Sequence, residues 1–396
     1  LDMSRVLAGP WAAQLLADLG AEVIKLEHPQ RGDESRSWEP SFVSQQRPDV
    51  RQSAYFCSAN RGKKSVTLDF SKPQGAALVR SLVPHVDVLI ENYKVGSLAR
   101  QGLAYEDLRE LNPGLVYCSI TGFGQSGPYC ERAGYDTIIQ AMGGLMSMTG
   151  QPDSVPGGEP MRAGLPVIDL MTGMHAALAI TAALRHRDRT GAGQHIDLGL
   201  LDVHVSALAY FGMNYLASGE VPVRTGNSNP VTFPSGTFAA RDQRVVLLVG
   251  NDSQFARFCE VLGRADLARD PRYLSSPLRV KHSAELRSQI EPELAQHDAS
   301  HWIETLEKVG VPCAPINDLR QVFDDPHVRA RGAVRTLVHP ELGEVPVLAN
   351  PARLSATPAR HGIAPPMLGQ DTREVLSGLL GLSESDMLSL RAAGAI

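Results

Sequence analysis

Short β-like runs alternate with helical stretches through the first half of the chain, and that rhythm admits few folds. Residues 1–7 read as the end of a strand. Trp11, Leu15, Leu16 and Leu19 then recur at helical spacing until Gly20 stops the helix, and 21–27 (AEVIKLE) reads as the next strand. Further strands are expected at 65–69, 86–91, 115–121 and 195–200, with helical stretches such as 74–82 between them. Strands separated by helices pair in parallel, because the crossover needs the length a helix supplies. The expected fold class is therefore α/β, a parallel sheet with helices on both faces.

The rhythm breaks near residue 220. Pro222, Gly226, Asn227, Ser228, Asn229, Pro230, Pro234 and Gly236 make a loop-rich junction. Beyond it, 237–240 and 244–249 read as an antiparallel hairpin around Arg241-Asp242-Gln243, followed by helices at 284–296 and 301–309. The tail returns to strand-like pieces, then Pro365-Pro366 and helices at 372–380 and 384–392. A chain of 396 residues calls for two domains. The expected division is a large domain from 1–200 and 330–396, a small α+β domain at 225–325, and linkers at 201–224 and 326–329.

Charge and cysteine usage narrow the function. The formal net charge of −5 offers no global attraction to nucleic acid or anionic lipid, so an anionic ligand must meet local clusters of Arg and Lys. Five cysteines, odd in number and without a CxxC pair, speak against a disulfide framework or a zinc site and for a reducing compartment. No apolar run of the ~18–20 residues needed to span a bilayer is read from the sequence, and no signal peptide. A cytoplasmic location is expected, or a mitochondrial matrix one if a transit peptide has been removed.

The first strand–helix–strand has a nucleotide-binding outline ending in acidic Glu27, but its turn is Arg5-Val6-Leu7-Ala8-Gly9-Pro10. Without GxGxxG, the close backbone approach to a pyrophosphate lacks support, and a nicotinamide enzyme is disfavoured. No GxxxxGK[ST] or G-x-S-x-G is present. Polar residues nevertheless collect at predicted strand ends: Arg5, Arg36, the run Asn60-Arg61-Gly62-Lys63-Lys64, Asn92-Tyr93-Lys94, Arg100, and 122–128. Arginines on one rim can hold phosphates through bidentate, charge-assisted bonds; any single one is as readily a solvated surface charge. His297 and His301, four apart, lack a third ligand and read as structural, so no metal is expected.

The run Gly164-Leu-Pro-Val-Ile-Asp169-Leu-Met-Thr-Gly173 leads into a helix rich in small residues, which places Asp169 at or just before a helix start. Such a carboxylate is most often an N-cap. The same unpaired amides and macrodipole can also steady a reactive carboxylate or a nearby oxyanion.

Taken in order, several runs resemble family III CoA-transferases, the CaiB/BaiF group: Arg5–Pro10, 20–27 (GAEVIKLE), Asn60 with Lys63-Lys64-Ser65, Glu91-Asn92-Tyr93, Ser119–Gly124, Asp169–Gly173, Thr190–Gln194 and Pro365–Gly369. The resemblance covers essentially the whole chain. It implies a Rossmann-like large domain built from both terminal parts, a small domain, and two chains interlocked as a homodimer. It makes Asp169 the expected nucleophile, with coenzyme A as substrate, acyl-CoA and a carboxylic acid as reactants, and no tightly bound cofactor. By position, Arg5, Leu7, Ala8, Arg36, Leu68, Asn92, Tyr93, Lys94, Arg100 and Tyr135 would line the CoA or acyl site.

Two departures within the family are informative. Formyl-CoA:oxalate transferases carry a glutamine where Leu7 stands and a glycine-rich loop where Thr232–Thr237 stands. Racemases of the same fold carry a Gly-His-Asp motif where this chain has Gly134-Tyr135-Asp136, and a phenol ionising near ~10 is a poor base at neutral pH. Ser4–Pro10, Arg132–Asp136 and the tail are most similar to family members using succinyl-CoA and glutarate, so a succinyl-CoA donor and a short dicarboxylate acceptor are expected. The alternatives are a 2-methylacyl-CoA racemase and a non-catalytic acyl-CoA-binding protein.

Overall fold

The structure, a computed structural model, describes residues Leu1–Ile396. The chain forms two compact units. One comprises Leu1–Gly143, Ala163–Gly219 and His327–Ile396; the other comprises Gly144–Arg162 and Glu220–Pro326.

The first unit opens with helix α1 (Ala8–Asp18) and strands β1 (Val23–Glu27), β2 (Lys63–Thr67), β3 (Val88–Glu91) and β4 (Val116–Thr121). Helices α2 (Asp136–Met142) and α3 (Val167–Thr190) lead to β5 (Gln194–Gly199). β1 pairs with β2, and β3 with β4 and β4 with β5, all in parallel. The segment around Asp2 joins the two sets by bridging Lys25 and Ile90, so the expected first strand survives only as this short link. Every residue of β1 is buried, as befits a parallel strand covered on both faces.

Separate apolar clusters cover the two faces. Ala12, Ala13, Ile90, Cys118, Ile168, Ala176 and Ile180 fill one, where α1 and α3 pack. Leu26, Val66, Val79 and Leu89 fill the other with Val375, Leu376 and Met387 from helices Thr372–Leu380 and Glu384–Ala392. The α1–α3 contact is close because Gly173 has no side chain: a Cβ there would come within 2.7 Å of the Ala8 carbonyl. α3 also corrects one expectation. By length and composition it is apolar enough to cross a membrane. Its small residues Thr172, Gly173, Ala176 and Ala183 are buried in this unit, while Met174 and Leu178 on another face stay exposed.

In the second unit, Ser235–Ala239, Arg244–Leu248 and Cys313–Pro315 form an antiparallel sheet. It packs around Phe238, Phe258, Trp302 and Leu306 with helices Asp252–Val261, Ser283–Leu294 and Ala299–Lys308. Gly144–Arg162 belongs here although the chain on both sides of it does not. Met161 N–H bonds to the Thr149 carbonyl, and Gly226 N–H to that of Gly150.

Candidate functional site

The carboxyl ends of β1 to β5 and the start of α1 build one rim of the first unit. The turn into α1 is held from below by a network of buried charge. Lys63 Nζ donates to Asp2 Oδ2 at 2.8 Å, to Asn60 Oδ1 at 2.8 Å and to the Pro10 carbonyl at 2.9 Å. Lys25 Nζ lies 3.0 Å from Asp33 Oδ2 and donates to the Ser4 carbonyl at 2.8 Å. Burial works against the charge on Asp2, but Lys25 and Lys63 hold its carboxyl far below the usual range. Arg5 is fixed through its backbone: its N–H donates to Asn92 Oδ1 and its carbonyl accepts from Asn92 Nδ2, at 2.9 and 2.7 Å. Val6, anchored at Asp33, takes a φ of 69°, a left-handed conformation that costs a β-branched residue of order 1–3 kcal/mol.

Two clefts share this rim. The first, about 170 Å³, is lined by Arg5, Leu7, Ala8, Asn92, Tyr93, Lys94, Thr121, Arg132, Tyr135 and Asp169, among others. The second, about 370 Å³, runs past Arg31, Asp33, Leu68, Ser71, Tyr93 and Arg100. Arg5, Glu34 and Tyr93 belong to both, and the Arg5 guanidinium lies over the Tyr93 ring at 4.6 Å. Nine of the ten expected binding residues thus line one cleft or the other. Arg36 does not. Its guanidinium is committed to Glu27, Nη2 to Oε1 and Nε to Oε2 each at 2.7 Å, donates to the Pro366 carbonyl, and lies over Phe56.

Asp169 occupies the first turn of α3 as its third residue, and it is not the cap. The N-cap position is Pro166, and the orphan amides of Ile168 and Asp169 bond instead to Asp136 Oδ2, at 2.8 and 3.2 Å. The Asp169 carboxylate makes no hydrogen bond or ion pair. Burial first, and the negative Asp136 second, push its carboxyl up to about 7. The site therefore holds a half-buried, poorly solvated carboxylate facing a cleft that also carries Arg5, Lys94 and Arg132. A group of this kind is a candidate nucleophile or base.

Sequence reasoning missed Arg31, Arg132 as a cleft residue, and Asp136. Arg31 is exposed and sits in the loop after β1, which the strand-end argument already marked. Asp136 stood in the Gly134-Tyr135-Asp136 run, but its bonds reach 32 and 33 residues ahead, and no local pattern reports that. No cluster of metal-binding side chains is present.

An open parallel sheet with clefts at the strands' carboxyl ends is an α/β architecture, a class in which ligands bind in the crevice along that edge. A family model described as CoA-transferase family III matches residues 1–372, and the chain belongs to that family. It is 47% identical over 380 residues to the succinate–glutarate CoA-transferase of Agrobacterium fabrum, covering 96% of this chain and 94% of that one. It is 40% identical to the succinyl-CoA:glutarate CoA-transferase of Mus musculus, over 100% of this chain and 88% of that one. A crystal structure of a CaiB/BaiF family protein from Brucella suis superposes with a TM-score of 0.85 at 42% identity, covering 95% of this chain and 97% of that one.

Proposed function

We propose that this enzyme moves coenzyme A from succinyl-CoA to a short dicarboxylate such as glutarate, with Asp169 as the nucleophile. The observation that carries the reading is the Asp169 carboxylate, half-buried against a cleft and left without any partner. The names of the Agrobacterium and mouse relatives support the substrate pair.

The chemistry conserves the thioester through covalent exchange. An Asp169 oxygen attacks the thioester carbonyl, the C–S bond breaks, and CoA leaves as a thiolate, giving a mixed anhydride. The thiolate then attacks the aspartyl carbonyl and expels the donor acid as its carboxylate, leaving an aspartyl-CoA thioester. The acceptor carboxylate attacks that carbonyl and expels the thiolate again. Thiolate attack on the acceptor's acyl carbon of the new anhydride frees acyl-CoA and restores Asp169. No net proton transfer is required. The site must keep water from each activated acyl group, which favours a sheltered carboxylate.

In this reading the second cleft takes the phosphorylated end of CoA, with Arg31 and Arg100 as its cations. The pantetheine passes over Arg5 and Tyr93, which line both clefts, towards Asp169. Arg36 is spent on Glu27 and holds the fold. The homodimer of the family fits the helix Ala209–Ser218, which buries none of its residues and exposes Tyr210, Met213 and Leu216, the last by 76%. Racemisation is disfavoured because no histidine lines the first cleft to act on a second face of an α-carbon.

The test is turnover of purified protein with succinyl-CoA and a panel of acids, beside Asp169→Ala. Transfer to dicarboxylates that Asp169→Ala reduces by at least ~10³-fold is expected. Transfer confined to monocarboxylates, or a variant near native rate, would refute it.

A further inference from the structure

The turn that presents Asp169 is fastened by a carboxylate that the scheme above leaves idle. Asp136, the first residue of α2, is buried and lines neither cleft. One oxygen accepts the amides of Ile168 and Asp169; the other accepts Gln140 Nε2 at 2.5 Å. Gln140 Oε1 in turn accepts Ala163 N–H at 2.8 Å, so one turn of α2 holds both ends of the 163–169 loop.

A helix start normally recruits a side chain of its own to satisfy its first amides. Pro166 offers none, and an Asp in the first turn is the ready substitute. With Asp136 already on those amides, Asp169 is released from that duty. A carboxylate without donors is a better nucleophile than a capped one, and a second negative charge close behind makes it more basic still.

We infer that Asp136 is a positioning residue for CoA transfer, acting through the Ile168 and Asp169 backbone to keep the Asp169 carboxylate unbonded and turned to the cleft. The inference rests on Asp169 being the nucleophile. The titratable groups facing this pair come from several elements. Tyr55 of helix Ala54–Asn60 faces both carboxylates, and burial, then Asp169, push its phenol up to about 12. His204 of helix Leu200–Ala207 faces Asp136, and burial lowers its imidazole. α1 meets this end of α3 with uncharged Ala8 and Trp11, and β4 ends at the uncharged Thr121 of the cleft. Asp197 on β5 is turned to the Gln125 amide.

The test compares Asp136→Asn, Asp136→Ala and Asp169→Ala by pH–rate profile. Asn keeps an oxygen for the two amides but loses the charge and turns an NH2 towards Gln140 Nε2. Asp136→Asn is expected to move the acid limb of kcat/KM, near pH 7 in the native enzyme, down by about one unit, because a like charge no longer opposes ionisation. Its kcat at pH 8 should fall about tenfold with KM for the donor held within about twofold. Asp136→Ala should lose about a hundredfold or more. A merely structural clasp predicts an acid limb left unmoved by Asn, whatever the change in rate, and that result overturns the proposal. If Asp169→Ala itself stays active, the nucleophile assignment fails instead.

Discussion

Beneath the Arg5–Ala8 turn and at the start of α3, the protein buries carboxylates in opposite ways. Asp2 and Asp33 meet Lys25 and Lys63 directly, every member donates or accepts several bonds, and the acids are held low. Asp169 has neither cation nor donor, has a second acid for a neighbour, and is pushed up to about 7. Ion pairs in a dry interior fix geometry; here they lock the strained Val6 turn that supports the first cleft. An unpaired, half-buried carboxylate fixes nothing and lowers stability, which is what the proposed nucleophile requires of its site.

If that contrast is right, removing charge should have opposite signs in the two regions. Lys63→Met strands the Asp2 carboxylate with a single distant cation, Lys25 at 3.9 Å. It should cost about 3–5 kcal/mol, read as a lower urea midpoint at pH 7, and a neutral result would break the comparison. Asp169→Asn should do the reverse and raise stability by about 1–3 kcal/mol at pH 8 while abolishing turnover. The sign follows from the raised carboxyl. Ionising Asp169 in the folded state costs nothing below the ordinary carboxylate range, the cost grows as pH climbs towards about 7, and it is complete above that. The gain from Asn should therefore vanish near pH 4, and a gain independent of pH would point to packing.

Much of the framework was legible because it obeys local rules. Parallel strands buried on both faces give continuous apolar runs, and β1 to β5 fell within a few residues of expectation. Helices Thr372–Leu380 and Glu384–Ala392 announced themselves by periodicity. What escaped depends on partners distant in sequence. Arg36 looked like a rim arginine until Glu27, nine residues back, and the Pro366 carbonyl claimed it. Asp169 looked like a cap because the true cap sits on another helix. α3 concealed a long apolar span behind small residues, its Asp169 and its His175, none of which reads as a greasy run.

What matters most is where the acyl group and CoA are held between donor and acceptor. Protein mixed with succinyl-CoA alone, digested and analysed by mass spectrometry, should carry a CoA-sized adduct on the peptide containing Asp169, absent from Asp169→Ala. Native protein that turns over yet carries no such adduct, or carries it on another peptide, would contradict the assignment.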